Sequence, residues 1–153
     1  MASKLNTIKT RIQTILEALV REDILRDVQV DDFKKAVFNR DFSKFPVAIL
    51  TTPTVESGAA TNTQNLRSYL FEILVLSNAD EVKDAAQIED LIENILNEFD
   101  NDPTLKADQT TGAADGGVEP STSAPEALSS GGNNYIAFSV LIRAKAIRDL
   151  TFV

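Results

Sequence analysis

Hydrophobic positions recur along this chain with two different periods. Between residues 4 and 25, Leu5, Ile8, Ile12, Ile15, Leu16 and Leu19 follow one another at helical steps, which places them on one stripe of a helix. Lys4, Lys9, Arg11, Glu17 and Arg21 fall on other faces, and Ser3 stands where an N-cap is wanted. The pattern predicts an amphipathic helix with one buried face. A second stripe, Val82, Ala85, Ile88, Ile92, Ile95, Leu96 and Phe99, predicts a helix over residues 79–99. Asn78 and Glu81 have the spacing of a capping box. Asp80, Glu81 and Asp84 suit the positive end of the helix dipole, whereas Glu98, Asp100 and Asp102 crowd the negative end. A partner cation would offset that misfit.

Elsewhere the period is two. Residues 64–77 set Tyr69, Phe71, Ile73 and Val75 on one side and Leu66, Leu70, Leu74 and Leu76 on the other, interrupted by Ser68 and Glu72. Two apolar faces predict a long strand that is covered on both sides or meets another protein. Residues 135–147 alternate as well: Ile136, Phe138, Val140, Ile142, Ala144 and Ala146 oppose Ser139, Arg143 and Lys145, with Tyr135, Ala137, Leu141 and Ile147 among them. The run from Pro46 to Pro53 reads as a short buried strand, and Pro46 keeps Phe45 out of a helix. Val28 and Val30 hint at another strand. The rest of 26–45, where Phe33, Val37, Phe38, Phe42 and Phe45 mix with Lys34, Lys35, Arg40 and Lys44, carries no assignment. Residues 54–63 read as a polar connection with turn chemistry at Ser57-Gly58 and Thr61-Asn62. Residues 101–134 are rich in Gly, Ser, Thr, Pro and Asp and too polar to build a core alone. They read as an arm or hairpin that orders on a partner, or as a linker. No internal repeat is visible. Together the elements predict a single α+β domain over 1–153, a mainly antiparallel sheet flanked by two amphipathic helices with a long polar arm or hairpin at 101–134.

Composition changes the picture mainly by exclusion. The 153 residues include no Cys and no His, which removes disulfides, thiolate zinc sites and the Ser-His-Asp or Cys-His machinery of hydrolases. Asp100, Asp102 and Thr104 resemble the start of an EF-hand loop, but Leu105 stands where Gly is needed and Thr111 where the bidentate Glu is needed. Gly112, Gly116, Gly117, Gly131 and Gly132 fit no phosphate-binding pattern. The expectation is therefore no catalytic residue, no metal and no cofactor. A carboxylate-dependent hydrolase stays as an alternative, because paired carboxylates are easily found. The amino terminus lacks the apolar core of a secretory signal and no run is long enough to span a membrane, so synthesis in the cytoplasm is expected.

The net charge of −8 is unevenly spread. Residues 80–102 alone carry nine acidic groups against Lys83. Such a chain is poorly suited to general nucleic-acid binding. Arg67, Arg143, Lys145 and Arg148 lie on or near the expected strands. They read either as edge residues whose heads reach water or as a basic strip that meets the acidic helix end, Glu98, Asp100 and Asp102, of a neighbouring copy. Unlike surfaces of that kind suit a head-to-tail ring. The apolar end Phe152-Val153 could pack on the chain's own sheet or add to a neighbour's.

The order of these segments resembles the tail-completion or tail-terminator proteins of long-tailed bacteriophages. The resemblance is carried by FSKFPVAIL, by RSYLFEILVL after a Gly/Thr/Asn connection, by the acidic helix DAAQIEDLIENILNEF, and by YIAFSVLIRAKAI after the polar stretch. It implies a small α+β subunit of a ring, expected to be hexameric, on the head-proximal end of the tail tube. Its expected partners are further copies of itself, the tail-tube protein and a neck or head-completion protein, and its expected place is the virion. DNA would pass through the lumen without sequence-specific binding, and an acidic lumen would suit that passage. Related folds serve as neck and tail-tube subunits, which stay as alternatives together with an acidic adaptor for a basic protein.

Overall fold

The computed structural model of the chain describes residues 4–31, 42–59, 64–107, 109, 111–130 and 132–149. The order of elements is α1 (Lys4–Arg21), β1 (Asp27–Asp31), β2 (Val47–Thr51), β3 (Thr54–Ala59), β4 (Gln64–Asn78), α2 (Ala85–Asp100), β5 (Gly117–Thr122), β6 (Glu126–Ser130) and β7 (Asn133–Asp149). The fold is α+β: a seven-stranded sheet, antiparallel except for the β1–β2 pair, with both helices packed on it. Ser3, the Phe33–Arg40 stretch, the Thr61-Asn62 turn, Gly131 and the Phe152-Val153 end lie outside the described residues.

The two long strands form the centre. β4 and β7 pair antiparallel from Gln64↔Asp149 to Asn78↔Tyr135. The alternation read from the sequence holds on both. Tyr69, Phe71, Ile73 and Val75 lie beside Phe138, Val140, Ile142 and Ala144, all buried in one core with the helices. α1 delivers Ile8, Ile12, Ile15, Leu16 and Leu19 to that core, and α2 delivers Ile88, Leu91, Ile95 and Phe99. In α2 Leu91 is buried and Ala85 exposed, because Ile88, Leu91, Ile95 and Phe99 follow one another at steps of three and four and so share the face turned to the sheet. The helix starts at Ala85, not residue 79. Asp84 accepts the amide of Gln87 as N-cap, while the Asn78 side chain accepts the amide of Asp80 in the preceding turn. α1 stops at Arg21 rather than 25. Asp23 takes a positive φ of 61°, and the Ile24 amide reaches back to the Leu19 carbonyl.

Each long strand is flanked on its free edge by two short strands laid end to end. β2 and β3 pair with successive parts of β4, and β5 and β6 with successive parts of β7. At each junction the short line carries one residue more than the long strand opposite. Thr51, Thr52 and Pro53 face the Phe71–Glu72 step, and Ser123, Ala124 and Pro125 face Phe138–Ser139. These are bulges, and proline sits in both because a bulged position needs no ladder donor. Ser123 returns two bonds to Ser139, and Thr51 Oγ1 donates to the Glu72 carbonyl. The Ser139 hydroxyl then donates to Glu72 Oε1 across the centre at 3.1 Å. The chain thus uses one arrangement twice: helix, proline-bulged strand, hairpin, long strand. The amino-acid pattern hides this repeat, since the two copies share positions of bulge and burial but few residue types.

Two sequence-based expectations need correction. Residues 54–59 are not a connection but strand β3, held by Thr54 and Val55 continuing the β2 line beyond the bulge. Residues 101–134 are not a free arm. β5 and β6 complete the β7 edge, and Leu105, Ala113 and Ala114 of the preceding loop are buried in the core. The loop is pinned from α1: Arg11 Nη1 lies 2.7, 2.9 and 2.7 Å from the carbonyl oxygens of Leu105, Lys106 and Thr111. Asp102 closes the other side, accepting the amides of Lys106 and Ala107. Gly112 passes so near Thr104 that a Cβ there would sit 2.5 Å from its carbonyl oxygen.

Charge-assisted hydrogen bonds of this kind contribute more than neutral ones, and their loss leaves the part-buried Leu105 carbonyl without its donor, so Arg11→Met is expected to lower stability by about 2 kcal/mol. Urea unfolding of the full chain measures it. Gly112→Ala is expected to cost about 1–3 kcal/mol by overpacking, whereas Gly58→Ala, with nothing within 4 Å of the new Cβ, serves as the matched control.

Candidate assembly surface

The sheet has a second, outer face. At one end it is covered by a small apolar cluster, in which Val47, Ile49, Leu76, Tyr135 and Ala137 are buried against Phe42, Phe45, Leu74 and Leu128. Phe42, Phe45 and Tyr135 meet ring to ring with centroids 5.8–6.4 Å apart. The Phe45–Pro46 bond that leads into this corner is cis.

The other end of the outer face is open. Leu141 and Ile147 of β7 are 45% and 42% exposed, and half-buried Leu66 and Leu70 lie across from Ile147 and Arg143 on β4. Lys145 donates to Glu119 of β5 at 2.6 Å. That hydrogen bond and the ammonium charge hold the Glu119 carboxyl below the usual range. Arg143 is exposed beside the pair. A groove of about 360 Å³ crosses this surface from Thr51 and Thr54 over Leu70, Glu72 and Leu141 to Glu119 and Arg143. An apolar row with a fixed ion pair and an exposed guanidinium is the composition of a contact surface.

The residues expected to form a basic strip divide between the two sides of the sheet. Arg143 and Lys145 share the outer face, with Leu141 and Ile147. Arg67 alternates with Tyr69 and Phe71 and so belongs to the helix side. Arg148 pairs through its backbone with Asn65, and its side chain lies outside what is described. The acidic end of α2 lies on the opposite side from Arg143, because α2 packs on the helix-side core. Asp100 is exposed there, Glu98 is half-buried and Asp102 serves the loop that follows. Partial burial, and after it the nearby Glu22 carboxylate with which it shares a hydrogen bond, push the Glu98 carboxyl up from its usual value of 4.5.

Among the described residues no group of three or more Asp or Glu side chains is placed to hold a metal ion. No described helix is long and apolar enough to cross a membrane. Alternation alone identified the face of Arg143 and Lys145. The role of Glu119 could not be read, because the β5 register that brings it to Lys145 is set by β7 across a long loop. Compared with protein-family models the chain matches none, and no curated protein matches it.

Glu98 binds its proton more tightly folded than unfolded, so the stability linked to protonation is present at low pH and falls as pH rises from about 4.5. Glu98→Gln is expected to raise the melting temperature at pH 7 by about 1–2 °C, the scale of a surface substitution, and to leave it unchanged near pH 3.5. Thermal unfolding across that range checks the sign.

Proposed function

We propose that this chain is a structural, non-enzymatic virion protein: a tail terminator that forms a ring, six-membered on the resemblance, and caps the head-proximal end of a phage tail tube. The observation that supports it is an exposed apolar pair beside a guanidinium on one side of the sheet, with the acidic end of α2 on the other. The half-apolar outer face presents Arg143, and the acidic end of α2 presents Asp100 on the far side. A subunit with unlike, complementary sides joins head to tail, and such contacts close into rings when the rotation permits. In this reading Leu141 and Ile147 are covered by the neighbour, and Arg143 meets the neighbour's Glu98 and Asp100. The surfaces above and below the ring then serve the neck protein and the tube protein, and DNA passes through the lumen. Arg67 and Asp102 fall outside the contact, the first by its side of the sheet and the second by its loop bonds.

Gold labelling of this protein on intact particles of the virus that encodes it tests the assignment. Label is expected at the head–tail junction alone. Label along the tail would make it a tube subunit, and no label on any particle would sink the structural reading and favour the acidic adaptor. The ring contact has its own test. Arg143→Glu and Asp100→Arg are each expected to lower the amount of ring on purified tails by about tenfold, and the double reversal to restore most of it, as coupled charge pairs do. Full assembly by both single variants would remove this contact.

A further inference from the structure

The molecule carries a second concave surface that the outer-face contact does not use. A groove of about 390 Å³ runs between the α1–β1 turn, the Phe45–Pro46 corner and the first half of α2. Ile24, Phe45, Pro46 and Val82 line it half-buried, and Ile88 and Leu91 form its buried floor. Its rim is acidic, with Asp23, Glu81 and Asp90 all exposed. Past Asp23, Phe45 and Glu81 it continues into a neighbouring hollow of about 490 Å³, where Arg26 and Lys44 join the lining.

The rim residues stand on ordered backbone. Asp23 is the left-handed residue that ends α1, Glu81 donates its amide to the Asn78 carbonyl in the turn before α2, and Asp90 lies on α2. Carboxylates around an apolar wall match one kind of side chain best. A Lys or Arg stem packs on hydrocarbon while its charged head meets the rim, where low-dielectric walls strengthen the attraction. The two joined hollows exceed what one side chain fills, so the complement is a segment of chain. Charge also changes along the groove, from carboxylates alone at the α2 end to a far end where Arg26 and Lys44 stand with Asp23 and Glu81, which gives that segment a direction.

We propose that this groove binds an extended segment of a partner protein, its Lys or Arg at the Asp90 end, apolar side chains against Ile24 and Phe45, and a carboxylate toward Lys44. The inference stands apart from the ring contact, since Phe45 reaches the outer face only at its Tyr135 end and none of these residues lines the groove at Leu141 and Arg143.

The test is a titration of the nitrogen-15-labelled full chain with three blocked pentapeptides: lysine-leucine-arginine-leucine-glutamate, the same with both leucines replaced by glycine, and the acidic analogue glutamate-leucine-glutamate-leucine-glutamate. Saturable amide shifts are expected at Ile24, Phe45, Val82 and Asn94 with the first peptide. Binding about tenfold weaker, or about 1.4 kcal/mol, is expected for the glycine peptide and for the Glu81→Lys/Asp90→Lys variant. The variant's dispersed amide spectrum shows that it folds. Arg143→Glu is expected to leave the binding unchanged, which separates this site from the ring. Shifts spread along all exposed carboxylates of α2, equal binding by the glycine or acidic peptide, or no saturable shift would overturn the proposal. So would the same shifts arising with protein concentration alone, which would assign the groove to a second copy.

Discussion

The antiparallel register of β4 with β7 is the constraint on which the rest of the molecule hangs. These strands are far apart in sequence, so their pairing carries a loop-closure cost that local contacts do not. What offsets it is the double apolar row they bring together, Tyr69 to Val75 beside Phe138 to Ala144. Once that row exists, α1 and α2 have a surface on which to bury their stripes, and every other strand but β1 has a free edge to join. β1 alone is one step removed, parallel to β2. The residues most exposed to a failure of this pairing are therefore not only those in it. β5 and β6 have few buried side chains of their own and depend on β7 for their position.

That dependence explains what could and could not be read in advance. α1, β2, β4 and β7 carry their periodicity in their own residues, so stripes and alternations locate them. β3, β5 and β6 do not. Ser57, Gly58, Pro120, Ser121 and Ser129 give these segments the texture of loops, and only hydrogen bonds to the long strands make them sheet. The same holds for the loop after α2. Nothing local in that stretch announces that Leu105 will be buried, because the group that fixes it is the Arg11 guanidinium from the other end of the chain. Among the proposed contact residues, Arg143 and Lys145 followed from alternation, whereas Arg67 was placed with them by proximity to the strand and not by parity. The acidic groove was invisible for a plainer reason: three separate segments make it.

The sheet also separates two kinds of surface. On the helix side, α2 presents carboxylates to solvent from Glu89 to Asp100. On the outer side, Arg143 and the Lys145–Glu119 pair stand among leucine and isoleucine. A net charge of −8 would by itself keep copies apart. The outer side also holds Glu56, Glu72, Glu119 and Glu126, so approach there rests on exposed Leu141 and Ile147 and on the Arg143 guanidinium rather than on a surplus of positive charge.

The edge prolines set a limit on how that approach can happen. Pro53 and Pro125 sit at the bulges of the lines that flank β4 and β7, and Pro120 stands within β5. A proline in an outer line gives an arriving backbone no amide hydrogen to take up. At those positions a backbone ladder, which is indifferent to side chains and grows without end, cannot form. Side-chain recognition can act there, and it is selective and can stop at a fixed number. Three residues that add little to the core thereby decide where along the sheet another backbone can pair.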